Sequence, residues 1–145
     1  MPIVQDILNQ KGGTVYSIEP DATVLEAVTK MNQHKLGALV VMEGDSVIGM
    51  FTERDVLRRV VGEERNSRQT YVSEVMTREL ICCSPTTEMD DVSAIMQQQR
   101  IRHLPVCDDQ NRLHGLISIG DVNACHASQQ EAHLTFLNEY IYGRT

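Results

Sequence analysis

The sequence contains an internal repeat, and this repeat constrains the fold more than any other feature. The stretch GMFTERDV at residues 49–56 returns as GLISIGDV at residues 115–122. Both copies keep a glycine, a hydroxyl and an aspartate at equal spacing, whereas the two residues before the aspartate differ. Upstream, apolar residues of the first copy have apolar counterparts in the second, namely Val24 and Met89, Met31 and Met96, Leu39 and Leu104, and Val41 and Val106. The chain therefore contains two copies of one folding unit.

The hydrophobic pattern changes in the same order within each copy. The first copy predicts a helix at 23–34 capped by Thr23 or Asp21, strands at 38–42 and 47–51, and a helix at 53–61. The second copy repeats this order with the segments 89–96, 104–107, 113–117 and 119–126. A short extended piece ending at Pro20 or Pro85 precedes each helix, which gives a β-α-β-β-α unit in the α+β (α/β) class. One such unit cannot cover both faces of its small sheet, so the two copies are expected to pack together.

The repeat divides the chain into four predicted segments. These are a first repeat at 4–61, a polar linker at 62–71, a second repeat at 72–127 and a C-terminal helix at 128–145. Each repeat begins with a similar lead-in, VQDIL at 4–8 and VSEVM at 72–76. The C-terminal helix has an apolar stripe, which we expect to dock onto the two repeats or across a dimer.

Composition narrows the possible partners and compartments. A net charge of −7 opposes binding to nucleic acid, whose phosphates would be repelled by the average surface. The apolar runs are too short to span a bilayer and the N-terminus does not resemble a secretion signal, so no membrane partner is expected. Cys82, Cys83, Cys107 and Cys125 show no C-x-x-C spacing and no metal-ligand spacing with the histidines. A reducing, cytoplasmic setting without a bound metal is therefore expected.

The repeated motif has two physical interpretations. Thr52 and Ser118 stand where a strand ends and a helix begins, with Asp55 and Asp121 in the first helical turn. Such a pair is typical of a capping box, in which hydroxyl and carboxylate satisfy the helix N-terminus. It also suits a nucleotide, because free backbone N–H groups at a helix start favour phosphate and a carboxylate accepts hydrogen bonds from a ribose diol. The duplication of glycine, hydroxyl and aspartate favours the second interpretation.

The whole constellation resembles the tandem CBS domain, or Bateman module. The resemblance rests on DATVLEAVTKMNQHKLGALVVMEGDSVIGMFTERDVLRRV, on RIRHLPVCDDQNRLHGLISIGDV and on VSEVMT, and it covers about residues 4–127. It implies two repeats packed through their sheets with pseudo-twofold symmetry, two clefts and a homodimer formed through helices. It also implies a ligand among AMP, ADP, ATP, NAD-type dinucleotides and S-adenosylmethionine, with no cofactor required.

The resemblance further implies one nucleotide cleft for each repeat. Asp55 and Asp121 are expected to hold ribose diols. The first site is expected to comprise Thr14, Val15, Leu36, Gly37, Ala38, Thr52, Arg54 and Asp55. The second is expected to comprise Leu80, Ile101, Arg102, His103, Pro105, Ser118 and Asp121.

The two clefts are expected to differ in charge. Arg102 can make a forked contact with phosphate, and His103 adds charge below about pH 6.5, whereas the corresponding Gly37 and Ala38 carry none. The first cleft would take its cations from Lys11, Arg54 or Arg58. The second cleft is therefore predicted to bind more strongly.

Three function classes remain open at this point. The first is a regulatory module without catalysis, which senses adenine nucleotides and passes a conformational change to a regulated protein. The second is a dimeric scaffold with empty clefts. The third is an enzyme acting on a nucleotide, which the lack of a P-loop and of a nucleophile paired with a base disfavours.

Overall fold

The computed structural model describes residues 2–128. The predicted C-terminal helix at 128–145 lies outside the described residues except for its first position, so its docking stays a prediction. The described part mixes helices and strands in two halves of similar element order, which confirms the α+β class and the two repeats.

The elements follow the predicted order closely. The first half contains α1 (Val4–Lys11), β1 (Ser17–Ile18), α2 (Val24–His34), β2 (Ala38–Glu43), β3 (Ser46–Thr52), α3 (Glu53–Asp55) and a π-helical continuation π1 (Val56–Val61). The second half contains α4 (Val72–Val75), α5 (Met89–Gln99), β4 (His103–Cys107), β5 (Leu113–Ser118) and α6 (119–128). The predicted cap of α2 is confirmed, because the Thr23 hydroxyl accepts a hydrogen bond of 3.1 Å from the Glu26 N–H.

Each half forms a small sheet around its hairpin. In the first sheet β1 runs parallel to β2, and β2 pairs antiparallel with β3. In the second sheet β4 pairs antiparallel with β5, and the counterpart of β1 is a single parallel bridge between Cys83 and Val106. Alternate strand residues point to opposite faces. Each sheet therefore buries one face under helices and the other face against the sheet of the opposite half.

The two sheets meet in an apolar cluster, here called the sheet interface. Its buried members are Ala38, Val40, Val47, Met50 and Cys107, with Val15, Met42, Leu80, Cys82, Leu113 and Leu116 packed around them. The cluster combines strand residues of both repeats, whereas each of the two helix-covered cores contains strand residues of one repeat. The halves therefore pack through their sheets, as predicted.

The lead-in helices are exchanged between the repeats. The Val4 N–H donates to the Thr87 carbonyl at 2.8 Å, and the Val72 N–H donates to the Ala22 carbonyl at 2.8 Å. As a result, α1 buries Val4 and other apolar residues in the core of the second half, while α4 packs into the core of the first. Each lead-in thus completes the repeat that it does not precede.

This exchange explains the glycine of the repeated motif. A Cβ on Gly49 would lie 2.8 Å from Met76 Sδ and 2.9 Å from the Thr77 carbonyl oxygen, and one on Gly115 would lie 2.5 Å from Leu8 Cδ2. The exchanged lead-in segments therefore approach these two positions so closely that glycine is the residue that fits without a shift.

Candidate functional site

A cleft of about 490 Å³ opens between the two halves, beside the first copy of the repeated motif. Its walls come from both repeats: Gly37, Met50, Thr52, Glu53, Arg54, Asp55, Leu57 and Arg58 from the first, and Thr77, Glu79, Leu80, Ile81, Gln99, Arg100, Ile101, Arg102, His103 and Pro105 from beyond the linker. Its volume lies within the range of small-molecule sites. The cleft combines an apolar wall with a small number of charged groups.

Asp55 is the buried carboxylate of this cleft. It is only 4% exposed and belongs to the first turn after β3. Its Oδ2 accepts hydrogen bonds from the Thr52 N–H at 3.0 Å and the Thr52 hydroxyl at 3.2 Å. Its Oδ1 accepts one from the Thr77 hydroxyl at 3.0 Å, which comes from the segment after α4. Arg59 Nε lies 3.8 Å from Oδ1, so a cation also borders the carboxylate. The carboxylate is therefore held in one orientation by both halves.

The hydroxyl of each motif acts as a helix cap. The Thr52 hydroxyl accepts from the Asp55 N–H at 3.2 Å, and the Ser118 hydroxyl accepts from the Asp121 N–H at 3.2 Å. In addition, the Glu53 N–H donates to the Gly37 carbonyl at 3.0 Å. The N–H groups of Glu53 and Asp55 at the start of α3 therefore have partners, which leaves fewer free N–H groups there than the sequence indicated. Phosphate binding at these helix starts stays a prediction, and arginine side chains are further candidates for it.

Four arginines supply positive charge around the cleft: Arg54, Arg58, Arg100 and Arg102. Arg54 Nη1 donates to the Arg100 carbonyl at 3.0 Å, which links the start of α3 to the end of α5. The lining acids are Glu53, Asp55 and Glu79. The guanidinium groups can form forked hydrogen bonds with phosphate, and those of the two repeats face one space.

The second copy of the motif is arranged differently. Asp121 Oδ2 accepts from the Ser118 N–H at 2.8 Å and the Ser118 hydroxyl at 3.1 Å, as in the first copy. The same oxygen forms an ion pair of 2.7 Å with Lys11 Nζ, which also donates to the Leu116 carbonyl at 2.9 Å. The expectation that Lys11 serves the first cleft is wrong, because the exchanged α1 carries it to the second repeat.

His103 lies between the two motifs. Burial is the largest influence and lowers the pKa of His103 below its ordinary value of 6.5; nearby Glu53 and Asp121 raise it, and Arg102 and Lys11 lower it. A lowered pKa leaves the ring neutral at pH 7, so His103 serves as a hydrogen-bonding group there. Its position beside Gly37 places it in the cleft of Asp55.

The cleft contains residues from both predicted sites, whereas the sequence assigned one site to each repeat. Nine of the predicted residues line it together: Gly37, Thr52, Arg54, Asp55, Leu80, Ile101, Arg102, His103 and Pro105. The others do not line it: Thr14, Val15, Leu36, Ala38, Ser118 and Asp121. Arg102 and His103 lie next to the second motif, since His103 pairs with Ser118 and the Arg102 carbonyl accepts from the Ile119 N–H, and they also line the cleft of Asp55. Whether each of these residues contacts a ligand stays a prediction.

Sequence reasoning missed several groups at this site. Thr77 holds Asp55, Arg59 lies near it and donates to the Met76 carbonyl at 2.9 Å, and Arg100 lines the cleft. A signal for Thr77 was available, since it ends the lead-in stretch VSEVMT. The exchange of lead-ins is what brings it to the first motif.

The structure consists of two similar repeats with a cleft between them that is large enough for a small molecule. Comparison with known proteins identifies the family to which these repeats belong. The model of the CBS domain family matches residues 4–62 and again 72–125. The chain belongs to the CBS domain family and carries a tandem pair of these domains.

Two relatives match this chain along nearly all of its length. The chain is 38% identical to the CBS domain-containing protein CBSX3, mitochondrial, of Arabidopsis thaliana, over 97% of this chain and 72% of that protein. It is 37% identical to the CBS domain-containing protein YhcV of Bacillus subtilis, over 95% of both chains. These relatives are named for the domain itself, and the match to YhcV runs along nearly its whole length.

A solved structure shares the fold. The CBS domain pair of protein MJ0100, crystallised in complex with 5′-methylthioadenosine and S-adenosyl-L-methionine, superposes with a TM-score of 0.78 at 22% identity, over 89% of this chain and 98% of that one.

Within its described residues, this chain contains neither a candidate membrane-spanning helix nor a candidate metal site. No helix within residues 2–128 is long and apolar enough to cross a bilayer. Nor do the same residues bring together three or more His, Cys, Asp or Glu side chains as a metal site.

Proposed function

We propose that this protein is a regulatory CBS module that binds an adenine nucleotide in the cleft of Asp55 and signals by a change in the packing of its two halves. The observation that carries the proposal is the composition of the cleft. It combines a buried carboxylate, an apolar wall and four arginines drawn from both repeats. A ligand that touches both halves can shift their relative packing only by binding one arrangement better than another.

Each part of a nucleotide has a matching group. Leu80, Ile101 and Pro105 offer an apolar wall for a base. Oδ2 of Asp55 already accepts two hydrogen bonds from Thr52, whereas Oδ1 accepts one from Thr77 and has acceptor capacity left for a ribose hydroxyl. The arginines match phosphate charge. The complex of MJ0100 with two adenosine derivatives supports adenine as the base.

The arginines also suggest which adenine ligand is preferred. An ATP or ADP phosphate chain gains from several guanidinium groups, AMP gains from fewer, and the cationic centres of S-adenosylmethionine are repelled. We therefore propose ATP, ADP, AMP or NAD as the ligand class. No cofactor or catalytic step is required for this role, since binding alone moves the equilibrium.

A ligand panel tests this function. Thermal unfolding is measured with ATP, ADP, AMP, NAD, S-adenosylmethionine and GMP over a wide concentration range. A ligand at about a hundred times its Kd stabilises the fold by about 2.7 kcal/mol, which raises Tm by several degrees. A shift with an anionic adenine ligand and none with GMP is expected. No shift with any nucleotide would leave a dimeric scaffold as the better interpretation.

We further propose that the module works as a homodimer in the cytoplasm, together with a regulated protein. Val61 and Ile119 are exposed apolar residues on helices of the two repeats, and their exposure in one chain supports self-association. The four free thiols of the described residues suit a reducing compartment. Cell fractionation with an antibody against the chain tests the compartment; recovery with an organelle fraction would contradict it.

A further inference from the structure

Two thiols touch each other in the sheet interface, at a distance from the carboxylates of the motifs. The Sγ atoms of Cys82 and Cys107 lie 3.5 Å apart. Cys107 is the last residue of β4 and is buried, whereas Cys82 is partly exposed. A disulfide needs an S–S distance of about 2.05 Å, so the two sulfurs have only a short way to move.

The other two cysteines face a different environment. Cys83 follows Cys82 in an extended segment, so its side chain points to the opposite face of the sheet. It packs with Cys125 in the helix-covered core of the second half. The backbone of Cys83 pairs with Val106, and its N–H donates to the Pro105 carbonyl at 2.9 Å. This pairing fixes the position of Cys82 beside Cys107.

We propose that Cys82 and Cys107 form an oxidation site, which a low-molecular-weight disulfide converts into an intramolecular disulfide bond. In the first step the Cys82 thiolate attacks the reagent disulfide, forming a mixed disulfide and releasing one thiolate. In the second step Cys107 gives up its proton and its sulfur displaces the second reagent thiol from Cys82. The protein loses two electrons and two protons, and one reagent disulfide becomes two thiols.

Burial decides the order of these two steps. The partly exposed sulfur of Cys82 is the one that a dissolved reagent can reach. Burial, together with the hydrogen bond to Cys82, raises the pKa of Cys107 to about 12. A thiol with so high a pKa is poorly suited to attack from solution, yet it already touches the sulfur that it must displace.

The bond would change a wall of the nucleotide cleft. Leu80 precedes Cys82 by two residues and Pro105 precedes Cys107 by two, so each pair shares one face of its extended segment. Leu80 and Pro105 both line the cleft. A disulfide would therefore fix the spacing of two residues on its apolar wall. The oxidation itself does not depend on nucleotide binding, so failure of either proposal can be recognised separately.

The test uses the full chain, reduced and then freed of reductant. It is incubated with oxidised glutathione, and the remaining thiols are blocked with N-ethylmaleimide in denaturant, because Cys83 and Cys125 are buried in the folded chain. Intact mass and peptide mapping follow. The expected product is a single chain, not cross-linked to a second one, with two blocked thiols, no retained glutathione and a cross-link between the peptides of Cys82 and Cys107. Dithiothreitol should restore four reactive thiols.

Four variants assign the cross-link. Cys83→Ala and Cys125→Ala should still form it, whereas Cys82→Ser and Cys107→Ala should not, with thermal unfolding confirming that each variant folds. In Cys107→Ala, glutathione should remain attached to Cys82. A wild-type product that keeps glutathione, a cross-link through Cys83, or a cross-link between two chains would overturn the proposal. So would the absence of reaction in the folded wild-type chain.

Discussion

Asp55 and Asp121 occupy the same place in the repeated motif but have different neighbours. Asp55 accepts a hydrogen bond of 3.0 Å from the neutral hydroxyl of Thr77, whereas Asp121 forms an ion pair of 2.7 Å with the ammonium group of Lys11. The hydrogen bonds of Asp55 come from neutral donors, and its nearest cation, the Arg59 guanidinium, lies farther away at 3.8 Å. A ribose hydroxyl reaching Asp121 must compete with the closer ammonium group, so we expect the second motif to be the weaker partner for a ribose.

The pair of aspartates gives a matched test of the nucleotide site. Asp55→Ala should weaken the binding of the best adenine ligand by at least about tenfold, since a hydrogen bond to a charged group contributes about 1.5–3 kcal/mol. Asp121→Ala should change it by much less. This ranking reverses the expectation from the sequence, because Arg102 and His103 lie in the cleft of Asp55.

Calorimetric titration of the two variants measures these affinities. Both substitutions remove the carboxylate of a capping box and can lower stability, so thermal unfolding of each variant accompanies the titration and separates binding from folding. A larger loss in Asp121→Ala than in Asp55→Ala would place the main site at the second motif.

His103 should give the protein a pH-dependent stability. Because burial lowers the pKa of His103 in the folded chain, the unfolded chain binds more protons just below pH 6.5. The free energy of unfolding contributed by His103 is therefore highest above pH 6.5 and falls as the pH drops below it. His103→Gln cannot be protonated, so it should lose less stability than the wild type on acidification.

Urea unfolding of both proteins at about pH 5.5 and pH 7.5 measures this difference. Carboxylates contribute equally to the two proteins, so their effect cancels in the comparison. Identical losses of stability in the wild type and His103→Gln would show that His103 has the same pKa in the folded and unfolded chains.

At the scale of elements, the exchanged lead-ins determine which glycines can be replaced. The extra Cβ in Gly49→Ala would meet the backbone oxygen of Thr77, which cannot move without breaking its pairing with Met50. The extra Cβ in Gly115→Ala would meet only the end of the Leu8 side chain, which has other rotamers. Gly49→Ala should therefore destabilise the fold by about 1–3 kcal/mol, and Gly115→Ala by less.

Gly13→Ala serves as the control for these two variants, since its Cβ would meet no atom within 4 Å. Denaturant unfolding of the three proteins gives the stabilities. Equal effects of Gly49→Ala and Gly13→Ala would contradict the close packing of the segment after α4 against β3.

The elements themselves could be predicted because their signals are local. The spacing of Val24, Ala27 and Met31 identified α2, and two apolar runs around a turn identified the hairpin of β2 and β3. The opposite orientations of Cys82 and Cys83 followed from strand alternation in the same way. The exchange of α1 and α4 could not be predicted. Both lead-ins carry similar apolar residues, so neither sequence indicates which core it enters.

At the scale of the whole molecule, the candidate site depends on how two like halves meet. The sheet interface places the 99–105 segment of one repeat against the 52–58 segment of the other. Sequence reasoning identified nine of the eighteen lining residues, yet it assigned each to the cleft of its own repeat. Alignment of the two copies shows which positions correspond. It gives no information on how far apart these positions lie in the folded molecule, and this distance determines which of them share a cleft.

Self-association should depend on the exposed apolar residues Val61 and Ile119. Val61 ends the π-helical continuation of α3 and is 63% exposed, and Ile119 begins α6 with 38% exposure. Burial of such side chains against a second copy would contribute about 25 cal/mol per Å² of apolar area. Val61→Glu would place a charge in that contact, so it should raise the dimer dissociation constant at least about tenfold.

Leu25→Glu is the matched control, because Leu25 is an exposed apolar residue on α2 and receives the same change of charge. Sedimentation velocity over a range of protein concentrations measures the dissociation constant of each variant. If self-association involves the surface around Val61, the wild type and Leu25→Glu sediment as dimers at concentrations where Val61→Glu is a monomer. A wild type that is monomeric throughout, or a Val61→Glu variant that dimerises as the wild type does, would place the contact elsewhere or remove it. Since Val61 lies one helical segment beyond Asp55, a dimer through this surface would also couple the nucleotide clefts of two chains.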